Sequence, residues 1–271
     1  MDQFEKEYFE KLRSITPYFE GKRRELAKSR IKMFAAAVVR QVLDEKHKFD
    51  LIIGAGNSGL FMTKLTHLTY ETLNLDSPEI INIPITRIVE ENKEVKVLTG
   101  DFEIRTDKKI RNVLFVDDEI MRAVTARTVF ELLLEQYTEI DHLDATIIAE
   151  NHFFEWHYNL PKVSVRFFAY SRLIQWLNGN IGHFVPGKLF YEIQSVIPEV
   201  QSYNHVMAIV LGGGLKKQEN GKPYFDEKIE KILEENIKDY KIQKENLENE
   251  LKNLIKEGVE EYKEEKITFR F

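Results

Sequence analysis

The sequence contains no cysteine. This excludes a disulfide scaffold, thiolate zinc sites and thiol nucleophiles, and it fits a reducing compartment. No apolar run approaches the roughly eighteen residues that would cross a bilayer. No excess of basic charge is present either: 39 Lys and Arg stand against 45 Asp and Glu, a net charge of −6. That balance argues against wholesale wrapping by nucleic acid and leaves room only for a local basic patch. The 7 histidines show neither an H-x-x-x-H nor an H-E-x-x-H spacing, so a protein-held transition metal is not expected. The opening residues Met1–Ser14 are acidic and amphipathic, unlike the basic and then apolar run of a signal peptide. No membrane association is expected, and the expected setting is the cytoplasm. What remains is an ordinary globular composition, 43% hydrophobic and 31% charged over 271 residues. It suffices for one large domain or a domain with appendages.

Four segments differ in texture. Residues 1–48 read as helical: Phe4, Tyr8, Phe9 and Leu12 share a face, and an apolar stretch runs from Leu26 to Leu43, with Pro17 and Gly21 marking the join. Residues 49–170 alternate short apolar runs with helical patterns. Strands are predicted at Phe49–Ile53, Ile80–Ile85, Arg111–Val116, Ala145–Ala149 and Val163–Ala169, with helices near Leu60–Leu73 and Thr125–Tyr137. Wholly apolar strands separated by helices indicate an α/β fold with a five-stranded, mainly parallel sheet covered on both faces. Residues 171–225 are irregular, with a strand-like run at Val206–Leu211. Residues 226–271 are charge-dense over an apolar stripe, which predicts a helix over 226–263, roughly 57 Å long, and an edge strand over 266–271. Lys244 and Gly258 interrupt the stripe as a coiled-coil seam. The stripe needs a surface to cover it, either its own domain or a second copy in a homo-oligomer; the two readings weigh equally.

Two motifs carry chemistry. In the first, an apolar strand enters Gly54, Ala55, Gly56, Asn57, Ser58 and Gly59, after which a helix begins near Ser58. Glycines there let backbone N–H groups approach an anion that also faces the positive end of the helix. A tight strand–helix turn with no ligand is the competing reading. In the second, the apolar run from Val113 to Val116 ends in Asp117 and Asp118, followed by a short loop and a helix near Thr125. Ligands of a parallel sheet bind at the C-terminal strand ends. Adjacent carboxylates there accept hydrogen bonds from vicinal hydroxyls, directly or through a metal. An acid pair that merely precedes a helix capped by Thr125 is the alternative. A dinucleotide-binding domain is the weaker match, since the strand after the glycines ends in Thr86 and Arg87 rather than in an acid that would hold a ribose.

Taken together, the apolar strand, Asp117, Asp118 and the run to Thr125 resemble the hallmark of the type I phosphoribosyltransferase family, over about residues 45–170. The family's Thr-Gly-x-Thr reads here as Arg122, Ala123, Val124 and Thr125. The resemblance implies a phosphoribosyltransferase-like α/β core that moves a phosphoribosyl group from phosphoribosyl pyrophosphate to a nitrogenous, base-like acceptor, with Mg²⁺. It implies that Asp117 and Asp118 hold the ribose hydroxyls and the metal, that Met121–Thr125 cradle the 5-phosphate, and that Gly54–Gly59 form the pyrophosphate loop. By the same resemblance 88–109 takes the place of a mobile catalytic loop. Met121 stands where some members carry an acid that serves as a base, so proton abstraction is not expected there. Arg122 either serves as a bidentate phosphate ligand or fills the phosphate site of a chain that binds without catalysis. The leaving pyrophosphate calls for cations, and Arg87 and Lys93, with Lys96 and Arg105 behind, are the nearest candidates; each alone also reads as a solvated surface charge. Acceptor recognition is expected from the flanking segments, where Trp176, Asn178, Phe184 and Tyr170 offer aromatic faces and an amide. Aromatics that complete a core are the equal alternative.

Overall fold

A computed structural model describes residues 3–89, 95–104, 109–118, 124–147, 162–167 and 181–267. Strands apolar at every position belong at the centre of a parallel sheet. β1 (Leu51–Ala55) and β5 (Asn112–Asp117) lie there, buried almost throughout. With β2 (Glu79–Ile83), β6 (His142–Ile147) and β7 (Val163–Phe167) they form a five-stranded sheet of order β2-β1-β5-β6-β7. Every neighbouring pair is parallel. The α/β sheet expected from the sequence is therefore the one present, although β6 begins at His142, three residues before the predicted start.

The period-two alternation of strand side chains divides the core between the two faces. Leu51, Ile53, Val113 and Phe115 point to one side, where α3 (Val124–Gln136) covers them with Val129, Phe130 and Leu133. Phe115 meets Phe130 edge to face, ring centres 5.1 Å apart. Ile52, Leu114 and Val116 point to the other side, into a larger cluster shared with α1 (Gln3–Val39), α2 (Gly56–Thr72) and the C-terminal helices. Pro17 and Gly21 do not divide α1: it runs unbroken for 37 residues and passes into a π-helical turn at Arg40–Asp44.

Three further expectations are corrected. The stretch 88–109, expected as a loop, contributes to an antiparallel hairpin of β3 (Ile85–Val89) and β4 (Val95–Thr99). The strand-like run at Val206–Leu211 is helical instead. After α4 (Gly187–Val196), α5 spans Tyr203–Val210, capped by Ser202, whose hydroxyl accepts the His205 N–H at 3.4 Å. Val206 through Val210 are all fully buried, and a short apolar run buried on every side has no periodicity to separate helix from strand. The single helix over 226–263 is two. β8 (Leu215–Glu219) and β9 (Lys222–Asp226) form a second antiparallel hairpin, followed by α6 (Ile229–Asn236) and then α7 (Tyr240–Lys263). The break lies at Ile237, in extended conformation, and Asp239, at φ +59°. Of the predicted terminal strand, Lys266 and Ile267 form a bend, and 268–271 lie outside the described residues.

The stripe on α7 is covered by this chain itself. Leu247, Leu251, Leu254, Ile255 and Val259 are buried in the same cluster as Ile31, Phe34 and Val38 of α1. Gly258, read in the sequence as a break, marks a close approach of the two helices. A Cβ there would stand 2.5 Å from the Lys32 carbonyl oxygen. Lys32 pairs with Glu257 at 2.7 Å and with Glu261 at 2.8 Å, and Lys28 pairs with Glu250 at 3.1 Å, across the same contact. Among the described residues no helix is long and apolar enough to cross a membrane.

Candidate functional site

The C-terminal ends of β1 and β5 lie side by side, Gly54 opposite Val116, which places the two sequence motifs next to one another. The glycine turn is built by close approach. A Cβ on Gly54 would stand 2.4 Å from the Gly59 carbonyl oxygen, and one on Gly59 2.4 Å from the Gly54 carbonyl carbon. Side chains at either position would push strand and helix apart. Gly56 adopts φ +63°, a conformation that costs L side chains free energy, and α2 begins there, two residues before the expected start. Asn57 and Ser58 thus fall in the first turn of the helix.

Those two side chains tie the turn to its surroundings. The Ser58 hydroxyl donates to Asp117 Oδ1 at 2.8 Å, joining the glycine motif to the acid pair. The same oxygen accepts the Asp118 backbone N–H at 2.9 Å. Asp118 Oδ2 accepts from Asn204 Nδ2 of α5 at 3.0 Å, while Asn204 Oδ1 is buried without a partner. Asn57 Oδ1 accepts the backbone N–H of Lys216, on β8, at 2.8 Å. Neither Asn204 nor Lys216 is singled out by the sequence, because nothing local announces a contact spanning 86 or 159 residues.

The electrostatics follow from burial. Asp117 is only 6% exposed. Burial first, and then the neighbouring Asp118 charge, hold its carboxyl well above the usual range, against the pull of the Ser58 hydroxyl. Asp118 is raised as well, by burial, with its hydrogen bonds to Asp117, Asn204 and Ser58 opposing. A buried acid pair with amide and hydroxyl partners favours anything that brings donors or positive charge. Mg²⁺ fits that donor chemistry, since it binds through one or two carboxylates plus substrate phosphates. Among the described residues no cluster of three or more acidic or histidine side chains could hold a metal by itself.

The other predicted residues fall into three groups. Val124 and Thr125 form the start of α3, behind the acid pair in sequence. Arg87 lies on β3, opposite Val97, whereas Lys96 pairs with Ile88, so the hairpin directs Arg87 and Lys96 to opposite faces. Phe184 is fully buried, its carbonyl accepting from Arg24 Nε at 2.9 Å; it completes a core rather than offering a face to a base. Lys93, Met121, Arg122, Ala123 and Trp176 lie outside the described residues, as do Arg105, Tyr170 and Asn178.

No protein-family model matches the chain, and no curated protein matches it by sequence. Among solved structures the chain is similar to a hypothetical protein from Neisseria gonorrhoeae with bound ppGpp, at 14% identity and a TM-score of 0.35 over 56% of this chain and 90% of that one. It is similar to a purine phosphoribosyltransferase from Pyrococcus horikoshii, at 18% identity and a TM-score of 0.36 over 51% and 87%. It is similar, too, to the xanthine-guanine-hypoxanthine phosphoribosyltransferase of Helicobacter pylori, at 14% identity and a TM-score of 0.32 over 54% and 90%. With identity and TM-scores this low, the fold rests on the strand order and the site on its own geometry.

Proposed function

We propose that the chain binds phosphoribosyl pyrophosphate with Mg²⁺ and transfers the phosphoribosyl group to a nitrogenous, base-like acceptor. The observation that carries this reading is the Ser58–Asp117 hydrogen bond of 2.8 Å. It joins an acid pair to a glycine turn at adjacent strand ends, the two parts needed to hold a ribose and a pyrophosphate at once.

In this reading Asp117 and Asp118 accept hydrogen bonds from the ribose 2′- and 3′-hydroxyls. The N–H groups of Gly54–Gly59 and the positive end of α2 face the pyrophosphate, with Arg87 and Lys93 as its cations. Met121–Thr125 receive the 5-phosphate, Arg122 as a bidentate ligand. An acceptor nitrogen forms its bond to the anomeric carbon as the carbon–oxygen bond to pyrophosphate breaks, and the pyrophosphate leaves with that electron pair. Mg²⁺ would be held by Asp117 and Asp118 and, when bound, would supply positive charge to the leaving group. The acceptor subsite belongs to the segments flanking the core, Trp176 among them.

Arg122 and Ala123, which replace Thr and Gly of the family motif, favour a second reading: a protein that binds a phosphorylated ribose or nucleotide without turning it over. Pyrophosphate release across a panel of purines, pyrimidines and small amines separates the two. Release with at least one acceptor is expected; donor binding with no release for any acceptor leaves the sensor.

A further inference from the structure

The hairpin of β8 and β9 reaches the glycine turn from a part of the chain that the sequence motifs do not include. Its anchor is the Lys216 N–H donated to Asn57 at 2.8 Å. The Ile85 carbonyl at the start of β3 also approaches the turn, 3.9 Å from where a Gly56 Cβ would stand. The turn is thus flanked by two strands that each bear a cation, Lys216 and Arg87.

We propose that Lys216 is a phosphate-binding residue, acting beside Arg87 on the pyrophosphate group held at the glycine turn. The proposal rests on the function above and adds to it a contact from outside the motif-bearing core. Its main support is a contrast between neighbours. Lys217 is paired with Asp226 at 3.1 Å, whereas no carboxylate pairs with Lys216 among the described residues. Arg87 on β3 lies close enough for its charge to act on Lys216, and Lys216 acts in turn on His205 of α5. Burial and then Arg87 hold its ammonium below the usual range. A half-buried ammonium beside a second cation is unfavourable unless an anion joins them. Nothing described in this chain supplies that anion, and a polyphosphate would.

Calorimetry of the full chain with inorganic pyrophosphate and with phosphoribosyl pyrophosphate, each with Mg²⁺, tests the assignment. Lys216→Gln keeps the backbone donor to Asn57 and removes only the charge. Its affinity for pyrophosphate should fall about tenfold, the scale of a charge-assisted hydrogen bond, and Lys216→Arg should recover most of it. Its thermal midpoint should hold or rise, since an unpaired buried charge has gone. If the parent protein binds both ligands and Lys216→Gln binds them equally well, the lysine is not a ligand and the proposed function is untouched. If pyrophosphate binds in a lysine-dependent way but phosphoribosyl pyrophosphate does not bind, the proposed function fails and the lysine site stands. A parent protein that binds neither overturns both. Lost affinity with a lower midpoint that Lys216→Arg does not restore would show a structural role and overturn the assignment.

Discussion

At the scale of single residues, the acid pair is held from two directions: Ser58 donates to Asp117, and Asn204 donates to Asp118. Asn204 thus fixes one carboxylate while its own side-chain oxygen is buried without a partner, which makes it a positioning residue for that acid. Asn204→Ala should lower the affinity for phosphoribosyl pyrophosphate about tenfold while costing only about 1 kcal/mol of stability. Asn204→Asp, which sets a third carboxylate against Asp118, should lower affinity further. Equal affinity in all three proteins, measured by calorimetry, would remove Asn204 from the site. The acid pair was legible in the sequence because its signal is local, an apolar run that ends in two carboxylates. Asn204 was not, since its contact with Asp118 depends on where α5 arrives. The glycine turn behaves differently. Gly59→Ala drives a methyl group into the Gly54 backbone and should cost about 1–3 kcal/mol by overpacking, visible as a lower urea midpoint.

At the scale of elements, the sequence misled where burial erases periodicity and where a contact reverses the meaning of a residue. Val206–Leu211 has no polar position to set a period, and only Ser202 hints at a helix start. The antiparallel hairpin at β3 and β4 hides behind a polar composition that reads as a loop. Gly258, a flaw in a coiled-coil seam, is what lets α7 lie against α1. Gly258→Leu should therefore destabilise the protein by about 1–3 kcal/mol, and an unchanged melting midpoint would show that the two helices do not approach so closely. On α5, His205 is held below its usual 6.5, first by burial and then by the Lys216 charge, and its Nδ1 accepts the Gln201 N–H at 3.2 Å. The unfolded chain takes up this proton before the folded one does. The stability present above about pH 6.5 accordingly declines as pH falls below it. His205→Asn should flatten that decline in urea titrations between neutral pH and pH 5; an equal slope in both proteins would contradict it.

At the scale of the whole molecule, one large core joins the sheet to both ends of the chain. α7 packs on α1, and both share one core with α2 and the sheet face that carries Ile52 and Leu114. Leu247, Leu251, Leu254, Ile255 and Val259 of α7 are thus buried within the chain itself. A version ending at Asn220 would uncover Ala27, Ile31, Phe34 and Val38 of α1, all essentially fully buried. It should lose its cooperative thermal transition, whereas a truncated chain that melts like the full one would show that the tail is not part of the core. The same architecture brings Asn204 and Lys216 of the 181–226 region to the two motifs of the sheet, so the candidate site and the fold are completed together. The central claim is that this joined site holds phosphoribosyl pyrophosphate through its acid pair. Calorimetry with that ligand and Mg²⁺ tests it most directly, comparing the parent protein with the Asp117→Asn/Asp118→Asn double variant. Binding by the parent that is lost in the folded double variant is the predicted result; equal affinity in both would contradict the claim.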